Sequence, residues 1–301
     1  MMSMSRIFLT ILCLVIFVVN PASASIFGAA GDYNLFTSGN ATLTNSDAEG
    51  SVAIGGTASL TNYSVASNRS GSDARLVVGG GLTYTNGQVG QSGSGTIYAA
   101  SAALTGTNPA TFATTGSGLD FIAAADYLKS ASTAWKGLAT TGSAVNNYGT
   151  ITLTGNNAGL NVFSLDGSDL NAAYGLNINA QAGSTVLINV SGTASGLTNM
   201  GISLQGGIQN TNVLYNFYEA TQLTFSGVGI QGSVLSPLAA VDFDNGNING
   251  QMFAFSLEPS SGEFHDVGFT GQLSPVPLPG AVWLLSSGFI TLAGFRKKLR
   301  S

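Results

Sequence analysis

The chain has 301 residues, and only 8% of them are charged, against about 25% in an ordinary globular domain. Five of its nine Lys and Arg residues lie in the two terminal segments, which leaves four in the body against fourteen Asp and Glu, a net charge of −10 with histidine neutral. An acidic, lysine-poor body argues against nucleic acid as a partner, because phosphate backbones bind to basic surfaces.

Residues 1–24 are predicted to be a secretory signal peptide. Arg6 supplies the positive charge, residues 7–19 are nearly all apolar but too few to span a bilayer comfortably, and Ala22 and Ala24 are the small residues of a cleavage site. The only cysteine, Cys13, lies in this segment, so the mature protein has no disulfide. We therefore expect an exported protein that enters the Sec machinery, with an uncleaved membrane anchor as the alternative.

The body, residues 25–274, is repetitive. Its first part contains SGNATLTN (38–45), IGGTASLTN (54–62) and VGGGLTYTN (78–86), which share a Gly-rich turn, a short alternating strand and a final Asn. Its last part contains FSGVGIQGSVLS (225–236) and FDNGNINGQMFA (243–254), which align at a separation of 18 residues. Repeats shorter than about 25 residues predict a mainly β fold, a parallel β-helix-like β-solenoid. A β-sandwich of short strands is the alternative.

One segment of the body, about 118–139, is predicted to be an α-helix. Its apolar positions recur at steps of three and four, Ser117 and Asp120 resemble a capping box, and Gly142 is a plausible stop. We expect the helix to lie along the solenoid and to cover an apolar flank. The positions on its buried face are Phe121, Ala125, Leu128, Ser132, Trp135 and Leu138.

No group of residues in the body predicts catalysis, a cofactor or a defined metal site. The sole histidine, His265, stands between Glu263 and Asp266; with no G-x-S-x-G motif and no second histidine, we expect it to be held by hydrogen bonds. The stretch DFDNGNIN (242–249) lacks EF-hand spacing, which leaves open only a loose calcium site at Asp242 and Asp244. The protein is therefore predicted not to be an enzyme.

Two alternative functions stay open at this point. A polysaccharide-acting β-helix enzyme needs paired carboxylates, and Asp242 and Asp244 alternate on one predicted strand. An ice-binding-like solenoid needs a flat array of threonine on successive coils, and the uneven spacing of the Thr-x-Thr pairs argues against it. Those pairs are Thr42 and Thr44, Thr83 and Thr85, and Thr150 and Thr152.

Residues 275–301 are predicted to be a sorting segment with a transmembrane helix. The 18 residues of 278–295 extend about 27 Å as a helix, just enough for a hydrocarbon core of about 30 Å. The basic residues that follow place their end in the cytoplasm and the acidic body outside. Two prolines at the start of this segment hold the preceding chain extended at the membrane surface, where a protease can bind it. Retention of the tail as a simple anchor is the alternative.

This tail resembles a PEP-CTERM sorting signal of the VPLP type, although Leu278 stands where most of that family has Glu. The resemblance implies recognition by an exosortase of a Gram-negative bacterium, with the chain held in the membrane until it is sorted to the cell surface or released. The residues that carry it are Val276, Pro277, Leu278, Pro279, Trp283, Arg296, Lys297 and Lys298.

The body resembles the choice-of-anchor A domain, over most of residues 30–270. The matching stretches are residues 32–65, 75–89, 159–170, 185–192 and 232–266. It implies an extracellular β-solenoid with a flanking helix, adhesive or collagen-binding-like in some members, and it supplies no catalytic residues. The leading hypothesis is a non-catalytic structural or adhesive protein of the cell surface or the biofilm matrix. Its ligand would be a polysaccharide or an extracellular protein.

Overall fold

The computed structural model describes residues 25–109 and 111–274. Within them the chain forms 23 strands and two α-helices, so the predicted mainly β fold with a flanking helix is confirmed. Nineteen strands belong to one sheet and four to a second sheet. Three short 3-10 helices lie at Gly28–Asp32, Gln91–Gly93 and Asn210–Asn212.

The strands and helices follow each other at short intervals along the chain. Those before the long helix are β1 (Leu35–Thr37), β2 (Ala41–Thr44), β3 (Asp47–Ala48), β4 (Val52–Ile54), β5 (Ala58–Thr61), β6 (Ser64–Val65), β7 (Ala74–Val89), β8 (Thr96–Pro109) and β9 (Thr111–Ala113). The long helix and the elements after it are α1 (Phe121–Lys136), β10 (Ser143–Asn147), β11 (Thr150–Gly155), β12 (Leu160–Asp166), α2 (Gly167–Ala172), β13 (Gly175–Ala180), β14 (Thr185–Ser191), β15 (Ala194–Thr198), β16 (Gly201–Gln205), β17 (Val213–Phe217), β18 (Gln222–Ser226), β19 (Gly229–Gln231), β20 (Ser233–Asp244), β21 (Asn247–Asn249), β22 (Met252–Ser260) and β23 (Glu263–His265).

Strands from successive turns of the chain pair in parallel and form three rows, with the long strands β7, β8, β20 and β22 taking part in more than one row. The first row is β12, β14, β17, β20, β22, β1, β4, β7, β8 and β9. The second row is β15, β18, β20, β22, β2, β5, β7 and β8. The third row is β19, β21, β23, β3, β6 and β7, and the small sheet of β10, β11, β13 and β16 lies beside β19.

The order of the strands along the chain is not their order in space. The first turn, β1 to β3, lies between β4 to β6 on one side and β22 and β23 on the other. We call this junction of the two ends of the body the seam. A solenoid that stacked its turns strictly in chain order would have no such junction.

The two aligned repeats, 225–236 and 243–254, stack on each other as the sequence predicts. Phe225 pairs with Phe243, Ile230 with Ile248, and Val234 with Met252. The inward side chains then form continuous columns through the core. One column consists of the phenyl rings of Phe217, Phe225, Phe243 and Phe264, whose successive centroids are 5.9, 6.1 and 5.6 Å apart.

Helix α1 covers the first row. Asp120 is its N-cap, with the carboxylate accepting a hydrogen bond from the Ala123 N–H at 3.0 Å. The helix ends at Lys136 and Gly137, so the predicted stop at Gly142 is wrong; glycine at the end of the periodic segment already favours termination there. Leu138 lies beyond the helix and is 38% exposed, whereas the other predicted buried positions lie on or beside the packed face.

The two ends of the described body leave from the same side of the molecule. The indole Nε1–H of Trp135 donates to the Ser274 carbonyl at 3.2 Å, and the Phe27 ring lies 5.9 Å from the Trp135 ring. Residues 266–274 therefore run beside α1, at the corner between the third and first rows. That corner does not border the second row. Neither α-helix in residues 25–109 and 111–274 has the length and the apolar run that a membrane-spanning segment requires.

Candidate functional site

The second row presents two files of small, mostly hydroxylated side chains at its β8 end, and we call this surface the threonine face. Parallel pairing without a shift places Thr44 beside Thr61 and Thr61 beside Thr85, and the next strand continues the file with Thr105. A second file runs parallel to the first. Its members are Thr42, Ser59, Thr83 and Ala103.

The alternation of each strand explains why these side chains point outward together. Successive residues of a strand point to opposite faces, so the residues between the threonines point into the core. The burial pattern of β2 and β5 alternates in this way, with Leu43 and Leu60 fully buried. Every segment of chain that builds the face is free of Asp, Glu, Lys and Arg, although the body as a whole is strongly acidic.

A ladder of asparagines forms one edge of the threonine face. Asn45, Asn62 and Asn86 each bend the chain with a positive φ of 51° to 55°. The Asn62 amide donates to the Asn45 Oδ1 at 3.0 Å, and the Asn86 amide donates to the Asn62 Oδ1 at 3.1 Å. The ladder ends at Gly106, where a Cβ atom would lie only 2.4 Å from the Asn86 Oδ1.

A shallow depression of about 650 Å³ runs along the face towards its other edge. Its outer lining is polar and includes Asn40, Thr57 and Ser101. The Asn40 Oδ1 accepts a hydrogen bond from the Thr57 N–H at 2.9 Å, which fixes the corner of the first two turns. The result is a groove whose wall repeats from one turn of the chain to the next.

Sequence reasoning found only part of this face. It identified Thr42 and Thr44 with Thr83 and Thr85 but judged their spacing uneven. The ladder asparagines are separated by 17 and then 24 residues. The additional residues lie in the connection between β6 and β7, away from the face, so β5 and β7 still pair in register. The pair Thr150 and Thr152 lies on β11 in the small sheet, away from the face. The Asn that closes each repeat was the signal that Ser59 and Thr61 belong with the others.

Asp242 and Asp244 lie on the same row as the threonine face but nearer its other end. Both are exposed, and the Asp244 Oδ1 accepts hydrogen bonds from the Ser261 N–H at 3.1 Å and the Ser261 hydroxyl at 2.7 Å. Asp244 thus holds a turn. In the described ranges, neither aspartate belongs to a group of three side chains placed to bind a metal ion.

His265 lies on the third row, at the seam. Its Nδ1 is 2.6 Å from the Asn249 Oδ1, and its Nε2 is 3.3 Å from the Glu263 Oε2. The histidine is therefore held by hydrogen bonds, as expected. Its neighbour Asp266 forms a bidentate pair with Arg69, at 2.5 and 2.6 Å.

The predicted signal and sorting residues lie outside the described part of the chain. These are Ala22 and Ala24 at one end, and at the other Val276, Pro277, Leu278, Pro279, Trp283, Arg296, Lys297 and Lys298.

Comparison with known proteins places the described body in one family. A family model described as "putative ice-binding-like adhesive domain" matches residues 26–266. No curated protein matches the chain.

Three solved structures resemble the chain at low identity. An ice-binding protein from the Antarctic ascomycete Antarctomyces psychrotrophicus is 15% identical, with 82% of this chain and 98% of that chain covered and a TM-score of 0.41. An ice-binding protein from an Antarctic bacterium of the Flavobacteriaceae is 13% identical, with 79% and 78% covered and a TM-score of 0.36. An ice-binding protein from an Antarctic biological consortium is 11% identical, with 79% and 88% covered and a TM-score of 0.35.

Proposed function

The chain belongs to the family of ice-binding-like adhesive domains, and we propose that it is a non-catalytic binding module whose ligand lies on the threonine face. The observation that carries this proposal is the register of Thr44, Thr61, Thr85 and Thr105 on adjacent strands. Adjacent strands are about 4.8 Å apart, and alternate residues of one strand about 6.7 Å apart. The face is therefore a periodic array of hydroxyl and methyl groups.

A periodic, uncharged array suits a ligand that is itself periodic and rich in hydroxyl groups. Small side chains on strands are rigid, so little conformational entropy is lost on binding. The absence of charge in the segments that build the face removes electrostatic steering but also the cost of desolvating ions. We propose a polysaccharide of the cell surface or the extracellular matrix as the ligand. Ice is the second candidate, because the same array is regular and the family is named for likeness to ice-binding domains.

The face is tested by one substitution and a matched control. Thr61→Lys places a charge in the middle of the face, whereas Thr152→Lys makes the same change at a half-buried threonine of the small sheet. We expect Thr61→Lys to weaken binding at least tenfold, about 1.4 kcal/mol, and Thr152→Lys to leave it unchanged. The purified chain is measured on an array of bacterial exopolysaccharides and, in parallel, for ice recrystallisation inhibition.

The two candidate ligands give different outcomes. Glycan binding that only Thr61→Lys removes supports the polysaccharide ligand, and ice activity with the same pattern supports ice. Equal effects of both substitutions, or no binding to either probe, contradict the proposal for the threonine face. Turnover of any bound glycan contradicts a non-catalytic role.

An enzyme that acts on polysaccharides is less well supported. Glycoside hydrolysis needs two carboxyl groups on either side of a bond, one of them free to donate a proton. Asp244 is committed to the turn at Ser261, and Asp242 stands exposed on a strand rather than in a groove. The carboxylates of the second row therefore lack the enclosure that tunes a catalytic acid.

We also infer that the three rows of strands are the faces of one β-solenoid of the choice-of-anchor A type. In-register parallel stacking of turns supports this view, and the seam is its special feature. Helix α1 then serves as the cover of one face. A crystal structure in which the three rows do not enclose one core would contradict it.

The two terminal segments are proposed to direct export and sorting, on the evidence of their sequence. Residues 1–24 would pass the chain to the Sec machinery, and the tail around Pro277 and Pro279 would be cleaved by an exosortase. Both described ends leave at the corner that does not border the second row, so a tethered body would keep its threonine face free. Mass spectrometry of the surface protein tests this proposal. Peptides of residues 281–295 still joined to the body in wild-type cells, as in cells lacking the exosortase, contradict it.

A further inference from the structure

The seam carries a second polar cluster, on the third row and away from the threonine face. Glu263 and His265 lie on β23, and Glu49 follows directly after β3. One ligand atom from each of these three half-buried side chains lies within 4.8 Å of the other two. The cluster, which we call the seam cluster, thus joins side chains from opposite parts of the chain.

The contacts of His265 turn its Nε2 into the seam cluster. The Asn249 Oδ1 lies 2.6 Å from Nδ1 and can only accept, which favours a proton on Nδ1, whereas the Asn247 amide nitrogen is farther away, at 3.4 Å. Nε2 faces the Glu263 Oε2 at 3.3 Å. A positive charge between Nε2 and this carboxylate, either a proton on Nε2 or a metal ion, would satisfy both atoms. Metal-binding histidines are oriented in the same way, by donating their second N–H to an oxygen.

Negative charge at the seam exceeds the positive charge that pairs with it. Arg69 is the nearby arginine, and it is already bound to Asp266. Asp47, Glu49 and Glu263 have no Lys or Arg partner in the described part of the chain. Burial raises the pKa of the Tyr63 hydroxyl most, and Asp47, Tyr84 and Glu263 raise it further.

We propose that Glu49, Glu263 and His265 bind a divalent transition-metal ion across the seam. An imidazole nitrogen with carboxylate oxygens suits Zn²⁺ and its neighbours, whereas Ca²⁺ and Mg²⁺ prefer oxygen ligands alone. Zinc bonds of about 2.0–2.2 Å put two tetrahedral ligands about 3.3 Å apart, which is the separation of His265 Nε2 and Glu263 Oε2. The Glu49 carboxylate, with a ligand atom within 4.8 Å of the other two, completes the set by moving closer.

The ion would connect the first turn of the body to the last. β3 and β23 pair through a single residue pair, Phe264 with Ala48, with one further bond from the Glu49 N–H to the Phe264 carbonyl at 2.8 Å. An ion that binds only the folded seam stabilises it in proportion to its concentration. It also closes a loop of more than 200 residues, which unfolding would otherwise open.

The experiment follows thermal unfolding and the His265 ring of the purified chain during titration with ZnCl2, and with CaCl2 for comparison. His265 is the only histidine, so one imidazole signal in a nitrogen-15 NMR spectrum reports on the site. Glu49→Gln removes a ligand but keeps an acceptor for the Asp266 N–H, which Glu49 binds at 2.8 Å. His265→Asn removes Nε2 and keeps a donor near Asn249. Glu258→Gln removes an exposed carboxylate of the second row and is the control.

We expect Zn²⁺ to move the Nε2 signal and to raise the midpoint of unfolding, with affinity at least tenfold weaker in Glu49→Gln and His265→Asn and unchanged in Glu258→Gln. A rise in stability that is equal in all variants shows ions on other carboxylates and overturns the proposal. An equal response to Ca²⁺ with an unmoved Nε2 signal also overturns it, as does the lack of any response to Zn²⁺.

Discussion

At the scale of single residues, the corner asparagines determine where each turn of chain bends. Asparagine is one of the few residues other than glycine that adopt a positive φ, because its side chain bonds locally. Asn45, Asn62 and Asn86 do so at equivalent corners, and their amides bond to each other from turn to turn. Conformation and hydrogen bonding therefore both favour asparagine at these positions.

Two substitutions of Asn62 separate these contributions. Asn62→Gly keeps the positive φ but loses two exposed amide bonds, and we expect a loss of about 0.5–1 kcal/mol in the free energy of unfolding. Asn62→Ala adds the cost of a left-handed alanine, for a total of about 2 kcal/mol. Urea unfolding measures both. Equal losses in the two variants would show that backbone strain plays no part.

These residue patterns were the part of the fold that the sequence predicted best. The repeats ending in Asn45, Asn62 and Asn86 gave the strands and their inward positions, because alternation and a corner signal are local properties. Whether the threonines line up depends on how long each connection is at the far corner, which is not local. That is why the threonine face was judged irregular from the sequence and is regular in the fold.

For two buried tyrosines at adjacent turns we predict different effects of removing the hydroxyl on the free energy of unfolding. The Tyr84 hydroxyl donates to the Tyr63 carbonyl at 2.6 Å, whereas the Tyr63 hydroxyl has no partner among the described residues. Tyr84→Phe should cost about 1–2 kcal/mol at neutral pH. Tyr63→Phe should cost nothing or stabilise, because it removes a buried polar group without a hydrogen bond.

The same two residues predict how stability depends on alkaline pH. Burial raises the pKa of both phenols above the ordinary value of about 10 that they recover on unfolding. Above that pH the unfolded state has lost protons that the native state keeps, so stability is full below about pH 10 and falls as pH rises. Tyr63→Phe should make this fall less steep. A chemical denaturation series from about pH 8 to pH 11 measures it, and an unchanged slope would contradict the assignment.

At the scale of elements, helix α1 and the first row depend on each other. Several strands of this row, such as β14, are buried on both faces, because the helix covers the outer one. Near the end of α1 a buried polar network replaces apolar packing. The Ser132 hydroxyl donates to the Asn216 Oδ1 at 2.6 Å, and the Asn216 amide donates to Asn189 at 2.8 Å and to the Ser132 carbonyl at 3.0 Å.

We predict that Asn216→Ala loosens α1 from the sheet. It leaves buried groups of Ser132 and Asn189 without partners, at a cost of about 2–3 kcal/mol, and hydrogen exchange of the α1 amides should accelerate. Asn147→Ala, at an exposed asparagine of β10, is the control and should change stability by less than about 0.5 kcal/mol. Equal destabilisation by the two variants, with protected α1 amides, would contradict this role of the network.

The sequence predicted α1 as an element but not which row it covers. Its period is a local signal and predicted the helix, whereas the capping box put the N-cap at Ser117 and the structure has it at Asp120. The row it covers differs from the threonine face in its burial: β14 is buried at all but its last residue, whereas β5 alternates between buried and half-exposed positions. Continuous burial thus distinguishes the covered face from the open face, where burial alternates.

At the scale of the whole molecule, the seam is the feature that the sequence could not predict. Pairing of β1 with both β4 and β22 brings together residues that are more than 200 positions apart, and no local pattern records such a contact. A single buried side chain illustrates the connection. The Asn34 amide donates to the Gly250 carbonyl at 3.0 Å and to the His265 carbonyl at 2.9 Å, while its Oδ1 accepts from the Gly50 N–H at 3.2 Å.

The seam predicts that the body survives a cut in its middle. A protease site placed at Gly116–Gly118, an exposed stretch between β9 and α1, separates the chain into two pieces when cleaved. The pieces should stay together in native size-exclusion chromatography, because the seam and the packing of α1 on the 3-10 helix Gly28–Asp32 and on Phe36 of β1 both hold them. They should separate in denaturant in one cooperative step. Pieces that separate under native conditions would show that the seam is weak.

Asn34→Ala tests whether the seam itself holds the cut body together. In the uncut chain this substitution removes buried hydrogen bonds to Gly250, His265 and Gly50 and should cost about 2–3 kcal/mol. In the cut chain the seam is also one of the two junctions between the pieces. The lost hydrogen bonds therefore lower the affinity of the two pieces for each other. We expect the pieces of the variant to dissociate at a lower urea concentration and on dilution, which the uncut variant cannot do. If dilution has no effect on the cut variant, α1 alone holds the pieces, and the seam is a contact without a role in stability.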